Sequence, residues 1–332
     1  MRVAENLNLA LGDLLDGDPR VYLLGEDIVD PYGGAFKVTK GLSTRHPERV
    51  IPTPLSEGGL VGVGGGLALA GEAAVLEIMF GDFVALAFDQ IANFASKSVS
   101  MYGRRVPMRM VVRCPTGGGR GYGPTHSQSL QKHFIGLPGL SVHEVSPFHD
   151  NRELLPELLG RGEPAMLFED KVLYTERMFT DGVVDDLFSY DMELPGVARV
   201  FADTPDTYDC VLIVPGGLTH RALAAARSLL LEHEIACLLL VPSQLYPFDT
   251  DPLLPVLRRA ELVCVAEEGT AGGTWGSEVA QAVHRTMWSD LRRPVSLVHS
   301  QDSVIPTAAH LENEVLVSAD TISAAVTKAL HG

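Results

Sequence analysis

The sequence has few basic residues: 26 lysines and arginines are outnumbered by 42 aspartates and glutamates, which leaves a formal net charge of −16. A surface this acidic repels phosphate backbones and anionic lipid headgroups. The chain also lacks an uninterrupted apolar run of the ~18 residues that would suggest a membrane-spanning helix. These absences argue against nucleic acid and membranes as partners.

Cysteine is scarce as well, with four residues in 332 and no C-x-x-C spacing among them. Three of the four lie inside apolar runs that are typical of buried strands. The N-terminal stretch MRVAENLNLALGDLLDGD is amphipathic and acidic, whereas a signal peptide begins with a basic region followed by an apolar one. We therefore expect a reduced protein that stays in the cytoplasm.

Several catalytic and nucleotide-binding motifs are missing from the sequence. H-E-x-x-H, G-x-S-x-G and paired zinc-binding cysteines do not occur, so metallohydrolase and serine hydrolase interpretations have no support. G-x-G-x-x-G and G-x-x-x-x-G-K-[ST] are absent too, which argues against a dinucleotide or P-loop site. We identify no metal-binding residues in this chain.

Short apolar, β-branched runs alternate with helical patterns along the chain. In the first half these runs are VYLLGED, AAVLEIMF, MRMVVRCP, LSVHEVSP and PAMLFED, and FVALAFDQIANFASKSVSMYG is typical of an amphipathic helix. A second series begins near Asp209 with DCVLIVPGG and ends with PVSLVHSQD. The alternation predicts an α/β fold with two domains, each a mainly parallel sheet flanked by helices.

The boundary between the two series is predicted from turn signals. From Asp181 to about Asp206 the periodicity is weak, and the stretch includes Pro195-Gly196 and Thr204-Pro205. We therefore predict a first domain over 1–185, a linker over 186–205 and a second domain over 206–332.

Glu57 is a candidate functional residue because of its position between two predicted elements. It follows a strand-like run and precedes Gly58 and Gly59, which open an apolar, glycine-rich helix. A carboxylate at the C-terminal end of a strand sits where open α/β sheets bind ligands. An acid favoured by the helix dipole is the simpler interpretation, and position alone does not decide between them.

The run RCPTGGGRGYGPTHSQS predicts a long loop, and loops of this length in compact domains are usually functional. His126 in this loop is a candidate acid–base group, although a single histidine is more often structural. The glycines of 62–66 indicate close packing of another helix. Met79 and Phe83 follow a strand-like run, and their position alone predicts core residues. The pair Glu267-Glu268 is most simply solvated or helix-capping.

Six segments that occur in order from Gly25 into the last third of the chain are specific when they are taken together. They are GEDIVDPYGGAFKVTKGL, TPLSEGGLVG, GDFVALAFDQIAN, GYGPTHSQS, LPGLSV and VAEEGTAGGTWGSEVA. They strongly resemble the β subunits of the decarboxylase component of pyruvate, branched-chain 2-oxo acid and acetoin dehydrogenase complexes. The resemblance implies a pyrimidine-binding thiamin diphosphate domain followed by a transketolase C-terminal-like domain.

The same resemblance implies that thiamin diphosphate lies between two chains. In such enzymes the other chain binds the diphosphate and Mg²⁺ through a G-D-G…N motif, which this sequence does not contain. It implies an α subunit in an α₂β₂ heterotetramer and a lipoylated acyltransferase as the acceptor of the acyl group. The implied reaction is the decarboxylation of a 2-oxo acid followed by acyl transfer to a lipoyl carrier.

Matching positions carry the family's site residues over to this chain. Glu57 matches the glutamate that hydrogen-bonds the aminopyrimidine ring and favours the imino tautomer that removes the thiazolium C2 proton. Phe83 matches an aromatic residue that packs against this ring, and Met79 and Leu55 match apolar positions that line the same pocket. His126 matches a histidine near the substrate that protonates or stabilises intermediates.

Two positions depart from the family pattern. Many members read Arg-Asp-x-x-Pro before the strand at PAMLFED and bind a monovalent cation there, whereas this chain has Arg161 in place of the acid. A guanidinium there makes a K⁺ requirement doubtful. Gly136 replaces a frequent histidine. These departures leave open a carbon–carbon ligase of the acyloin type, and a non-catalytic binding subunit is a third alternative.

Overall fold

The computed structural model describes residues 1–331, and the contacts of the chain divide it into two units. Unit 1 consists of Met1–Gly117, His133–Val145 and His149–Met178. Unit 2 consists of Gly118–Lys132, Ser146–Phe148 and the chain from Phe179 onward. Two short segments from the first half of the sequence therefore belong to unit 2, and one of them contains His126.

The strands of unit 1 form a parallel sheet, as their continuous apolar runs predict. They are β1 (Val21–Gly25), β2 (Val50–Pro52), β3 (Ala73–Glu77), β4 (Met110–Thr116), β5 (Ser141–Glu144) and β6 (Ala165–Asp170). Within the unit they lie in the order β5-β6-β4-β3-β1-β2, and every pairing among them is parallel. The carboxyl ends of these strands therefore all lie along one edge of the sheet.

Helices cover this sheet and carry apolar side chains into its core. They are α1 (Val3–Gly17), α2 (Leu42–Arg45), α3 (Glu57–Leu69), α4 (Ser96–Ser98) and α5 (Asn151–Gly160), with a 3₁₀ turn at Leu173–Thr175. Val3, Leu7 and Leu14 recur on one buried face of α1, which packs against α5. The Asp150 side chain accepts a hydrogen bond from the Arg152 backbone N–H at 2.9 Å and caps α5.

The helical prediction after β3 is confirmed in kind, but the segment is irregular. It consists of a 3₁₀ helix at Gly81–Ala87, a π-helical stretch at Gln90–Ala95 and the short α4. The glycines of α3 explain how closely it packs here: a Cβ on Gly65 would lie 2.3 Å from Phe94 Cε1, and a Cβ on Gly64 would lie 2.6 Å from Leu76 Cδ1. These glycines serve close packing, as predicted.

Unit 2 contains a second sheet. Its strands are β7 (Phe188–Leu194), β8 (Val197–Ala202), β9 (Cys210–Ile213), β10 (Cys237–Pro242), β12 (Leu262–Thr270) and β13 (Ser296–Ser300), and a short strand β11 spans Gln244–Tyr246. The order is β13-β12-β9-β10-β8-β7, with β8 antiparallel to both of its neighbours and the other pairs parallel. Its helices are α6 (Thr219–His233), α7 (Leu254–Leu257), α8 (Trp275–Met287), α9 (Ala309–Val315) and α10 (Ala319–His331).

Within the segment predicted as a linker, 186–205, strands β7 and β8 form a hairpin, so most of this segment has regular structure. Pro195 and Gly196 form its turn, with Gly196 at φ +66°, so the turn signal marks a hairpin. Charged residues hid the strand pattern, because Arg199 donates to Asp191 at 2.8 and 2.7 Å across the pair. Such cross-strand ion pairs occupy positions where apolar alternation would otherwise reveal a strand.

All four cysteines are free and buried, as the apolar runs around them indicate. Cys114 lies in β4, and the other three lie in β9, β10 and β12. Among residues 1–331 no helix is long and apolar enough to cross a membrane.

A buried ion network crosses the sheet of unit 1. The Arg113 guanidinium donates to both Glu169 oxygens at 2.7 and 2.8 Å and to Glu77 Oε2 at 2.7 Å. The Tyr174 hydroxyl donates to Glu169 Oε2 at 2.6 Å. Burial raises the pKa of Glu77, and the charge of Arg113 opposes that rise. Each charged group of the network is paired with another, so the loss of one partner leaves a buried charge without compensation.

Arg113→Ala is expected to lower the free energy of unfolding by about 3–5 kcal/mol, because two buried carboxylates lose their counter-charge. Denaturant titration of the full chain measures this change. Arg258→Ala is the control, since Arg258 pairs with Asp290 at 2.9 Å on the surface, and such pairs contribute about 1 kcal/mol or less. Equal losses in the two variants would contradict the importance of the network.

Candidate functional site

Carboxylates collect at the carboxyl edge of the parallel sheet in unit 1. Glu26 directly follows β1, Glu57 opens α3 after β2, and Glu77 ends β3. Parallel strands end on the same side, so residues far apart in sequence become neighbours at this edge, where open α/β sheets bind ligands. The position predicted for Glu57 from its strand–helix context is the position that it occupies.

Glu26 and Glu57 form a buried acidic pair. Their exposed fractions are 3% and 6%, and neither carboxylate oxygen of Glu26 has a hydrogen-bond partner. Burial raises the pKa of Glu26, repulsion from Glu57 adds to the rise, and the nearby Ser56 backbone N–H opposes it more weakly. Burial and the charge of Glu57 therefore both favour the protonated form of Glu26.

Phe83 and Met79 lie on the segment that follows β3, and both are half-buried. The ring of Phe83 lies 6.1 Å from that of Phe80, in an edge-to-face arrangement. This segment packs along the start of α3, where a Cβ on Gly58 would approach the Leu86 carbonyl oxygen at 3.3 Å. The aromatic segment and the helix that Glu57 opens are therefore direct neighbours.

Leu55 lies two residues before Glu57, but its side chain is 77% exposed. It is accompanied at the surface by Val63 on α3 and by Leu86 on the facing 3₁₀ helix, with exposed fractions of 55% and 69%. An apolar side chain next to a buried acidic pair is unusual when it faces solvent. This exposure distinguishes Leu55 from Met79 and Phe83.

His126 belongs to unit 2, on a segment that has neither helix nor strand, as predicted for this loop. Its ring is half-buried, and its Nδ1 lies 3.0 Å from the Thr125 hydroxyl oxygen. Gln128, two residues further along, lines a cavity of about 460 Å³ together with Thr270 and Asp302. Of the five predicted site residues, the structure thus places His126 in unit 2 and the other four in unit 1.

Glu267 and Glu268 are buried, so they are not solvated charges. The helix-capping interpretation holds for Glu267, which accepts a hydrogen bond from the first turn of α8. Both lie in β12, where Glu267 accepts a hydrogen bond from the Gly276 N–H at 2.6 Å and Glu268 accepts one from the Gly118 N–H at 2.7 Å. Glu268 also forms an ion pair with Arg221. The apolar run before them predicted the strand, but the groups that satisfy Glu268, the Gly118 N–H and the Arg221 guanidinium, come from distant segments.

Glu26 was overlooked in the sequence as well. The available signal was the one used for Glu57, a carboxylate directly after an apolar strand-like run. Among the described residues, no group of three or more histidine, cysteine, aspartate or glutamate side chains could hold a metal ion.

The chain has two α/β units with mainly parallel sheets, and the first has acids along its carboxyl edge. Comparison with known proteins identifies this arrangement as transketolase-like. The transketolase pyrimidine-binding domain matches residues 1–176, and the transketolase C-terminal domain matches residues 203–322. A solved split-gene transketolase, described as an inactive β4 tetramer, has a TM-score of 0.74 at 21% identity and covers 99% of this chain and 98% of its own. Transketolase from Leishmania mexicana has a TM-score of 0.71 at 15% identity, over 98% of this chain and 45% of that one.

Relatives of higher identity specify the family. The acetoin:2,6-dichlorophenolindophenol oxidoreductase subunit beta of Cupriavidus necator is 31% identical over 98% of this chain and 96% of its own. The pyruvate dehydrogenase E1 component subunit beta of Leifsonia xyli is 33% identical, with coverages of 98% and 93%. The mitochondrial E1 subunit beta-1 of Arabidopsis thaliana is 30% identical, with coverages of 100% and 90%. The chain belongs to the transketolase-like family of E1 β subunits, which confirms the family and fold class predicted from the sequence.

Glu26→Gln is expected to raise the free energy of unfolding at neutral pH by on the order of 1 kcal/mol, because it removes a buried carboxyl group whose ionisation is disfavoured in the folded state. The raised pKa means that the folded state binds the Glu26 proton more tightly than the unfolded state, so the ionised form destabilises the protein as pH rises. The gain should therefore vanish below about pH 4.5, the ordinary value for glutamate. Denaturant titrations at both pH values measure it.

The control for this experiment is Glu48→Gln, which removes the same charge from an exposed position just before β2. It should change stability little at either pH. A loss of stability in Glu26→Gln at neutral pH would show that Glu26 is not a desolvated acid.

Proposed function

We propose that this chain is the β subunit of a thiamin-diphosphate-dependent 2-oxo acid dehydrogenase whose active site is shared with an α subunit. The enzyme decarboxylates a 2-oxo acid and transfers the acyl group to a lipoyl carrier. The observation that carries the proposal is the buried Glu26–Glu57 pair at the sheet edge of a unit that matches a pyrimidine-binding domain. The relatives of 30% identity or more that are described above are named as β subunits of pyruvate dehydrogenase E1 components or of an acetoin oxidoreductase, so the carbon–carbon ligase and the binding-only subunit are not favoured.

The described residues fit the aminopyrimidine half of thiamin. Neither buried oxygen of Glu26 has a well-formed hydrogen bond, and a ring that carries an amino group supplies N–H donors at such a site. Glu57 would accept a hydrogen bond from the ring, and Phe83 and Met79 would line its apolar faces. Thiamin diphosphate, when bound, supplies the carbon nucleophile and the electron sink that decarboxylation requires.

Glu57 in this proposal holds and releases one proton at its carboxylate. Glu26 assists it as a neighbouring acid whose own pKa is raised by burial and by the charge of Glu57. The N-terminal position of Glu57 in α3 fixes its backbone, so its carboxylate keeps a defined direction. These features suit a general acid–base group rather than a structural charge.

His126 in this proposal exchanges a proton with the substrate or the acyl group. The contact between its Nδ1 and the Thr125 hydroxyl orients the ring. Its place on a loop, supported by the remainder of unit 2, is common for catalytic side chains.

The exposed Leu55, Val63 and Leu86 support a partner at this surface. Several large apolar side chains exposed on neighbouring elements are a feature of protein interfaces, and α3 offers open space above Gly66. We propose that an α subunit covers them in an α₂β₂ heterotetramer and binds the diphosphate and Mg²⁺. A lipoylated acyltransferase in the cytoplasm is the proposed acceptor of the acyl group.

Calorimetry of the chain alone and of the chain mixed with an α-like partner tests the shared site. Only the mixture is expected to bind thiamin diphosphate with Mg²⁺, because this chain supplies groups for the ring but no diphosphate motif. In the mixture, Glu57→Gln should lower the decarboxylation rate by about 10²–10⁴-fold, whereas Glu48→Gln should leave it unchanged. Tight binding by the lone chain, or full activity of Glu57→Gln, would overturn the proposal.

Potassium dependence tests the proposed role of Arg161. This residue follows α5, donates to Glu157 Oε1 at 2.6 Å, and places Nη1 3.5 Å from His143 Nε2. We propose that its guanidinium replaces the monovalent cation of related chains. Activity and thermal midpoint should be the same in K⁺ as in Na⁺, and marked stabilisation by K⁺ would contradict this.

A further inference from the structure

Two carboxylates hold the glycine-rich loop that carries His126. Glu312 Oε1 accepts a hydrogen bond from the Gly119 N–H at 2.9 Å, and its Oε2 accepts one from the Gly121 N–H at 3.1 Å. Glu268 Oε1 accepts from the Gly118 N–H at 2.7 Å and from the Ser129 hydroxyl at 3.3 Å. Hydrogen bonds to an ionised acceptor are about twice as strong as neutral ones.

Both acceptors are firmly placed inside unit 2. Glu312 lies on α9 with 2% exposure, and Glu268 lies within β12. Arg221 connects their surroundings, because its Nη1 donates to Glu268 and also to the Val317 carbonyl at 3.1 Å, two residues after α9. The loop is therefore attached to a strand and a helix that are themselves joined.

The glycines of the loop are needed for this approach. A Cβ on Gly118 would lie 2.4 Å from Leu316 Cδ1, and one on Gly123, which has φ +78°, would lie 2.7 Å from Thr307 Oγ1. Side chains at these positions would push the backbone N–H groups away from Glu312 and Glu268. Glycine allows the loop backbone to approach Glu312 and Glu268 closely. It also increases the conformational entropy that is lost when the loop becomes ordered.

The far end of the loop is attached in a complementary way. Lys132 Nζ donates to the carbonyl oxygens of Thr270 and Gly272, each at 2.9 Å. Before His126 in the sequence, the carboxylates of Glu268 and Glu312 bind backbone N–H groups of the loop. After His126, the ammonium group of Lys132 binds carbonyl oxygens at the end of β12 and just after it. His126 lies between these attachments, on a stretch without regular secondary structure.

We infer that Glu312, with the support of Glu268, is a positioning residue that fixes the loop bearing His126. The inference rests on the proposed function, since His126 is catalytic only there. Both oxygens of Glu312 are used as acceptors, so glutamine cannot replace it: one glycine N–H would then face an amide NH₂ group. A small displacement of a catalytic side chain lowers the rate steeply.

Hydrogen exchange on the full chain tests the attachment without cofactor or partner. In Glu312→Gln, the amides of the peptide covering 118–130 are expected to exchange about tenfold faster or more, because a charge-assisted hydrogen bond is lost. Glu314→Gln removes the same charge from an exposed position of α9 and should leave the loop unchanged. Unchanged exchange in Glu312→Gln would overturn the inference.

Kinetics of the mixed complex test the positioning. Glu312→Gln is expected to lower kcat about tenfold with little change in the KM for the 2-oxo acid, and to alter the limb of the pH profile that His126→Ala removes. Faster loop exchange with an unaltered kcat and pH profile would overturn the positioning role. If His126→Ala keeps full activity, the proposed role of His126 fails, while the exchange result still decides how the loop is held.

Glu312→Asp serves as the second variant if Glu312→Gln does not fold. It keeps the charge but shortens the side chain by one methylene, so it should reach fewer of the glycine amides and show intermediate exchange and kcat. Parent-like exchange in Glu312→Asp would contradict the two-oxygen arrangement.

Discussion

The cost of burying carboxylates at the edge of a parallel sheet is the constraint on which this structure depends. Parallel strands end on one side, so Glu26, Glu57 and Glu77 meet there although they are far apart in sequence. Glu77 is satisfied by Arg113, which also binds Glu169. Glu26 has no such partner. Of these neighbouring acids, Glu77 is thus neutralised by a basic side chain, whereas Glu26 is not.

Buried carboxylates also stabilise unit 2, where they accept hydrogen bonds from backbone N–H groups. The glycine-rich loop lies outside the sheet, and Glu268 in a strand and Glu312 in a helix provide acceptors for its N–H groups. Rigid elements therefore give a flexible sequence a defined shape. In unit 1 the ends of the strands determine where the carboxylates lie. In unit 2 the carboxylates of Glu268 and Glu312 bind the N–H groups of the loop and so determine its backbone conformation.

The strands and most helices could be predicted because their apolar periodicity is local. Local pattern failed where charge replaced apolar residues, as in the β7–β8 hairpin with its Arg199–Asp191 pair, and where acids sat inside a strand, as at Glu267 and Glu268. Glu57 was found from its strand–helix context and from the family pattern. Glu26 was not found, although it follows an apolar strand-like run as Glu57 does, and only the fold shows that the two acids lie at the same edge.

The sequence by itself determined the α/β class, the two-part organisation, the family and the identity of Glu57, Phe83, Met79, Leu55 and His126 as candidates. Those features follow from periodicity and from motifs that occur within a few residues of one another. Only the tertiary structure decided that Glu26 is desolvated beside Glu57, that Leu55 faces outward, and that Glu312 holds the amides of Gly119 and Gly121. Burial and hydrogen bonding depend on which segments come together in the fold, and the local sequence pattern does not show which distant segments are in contact.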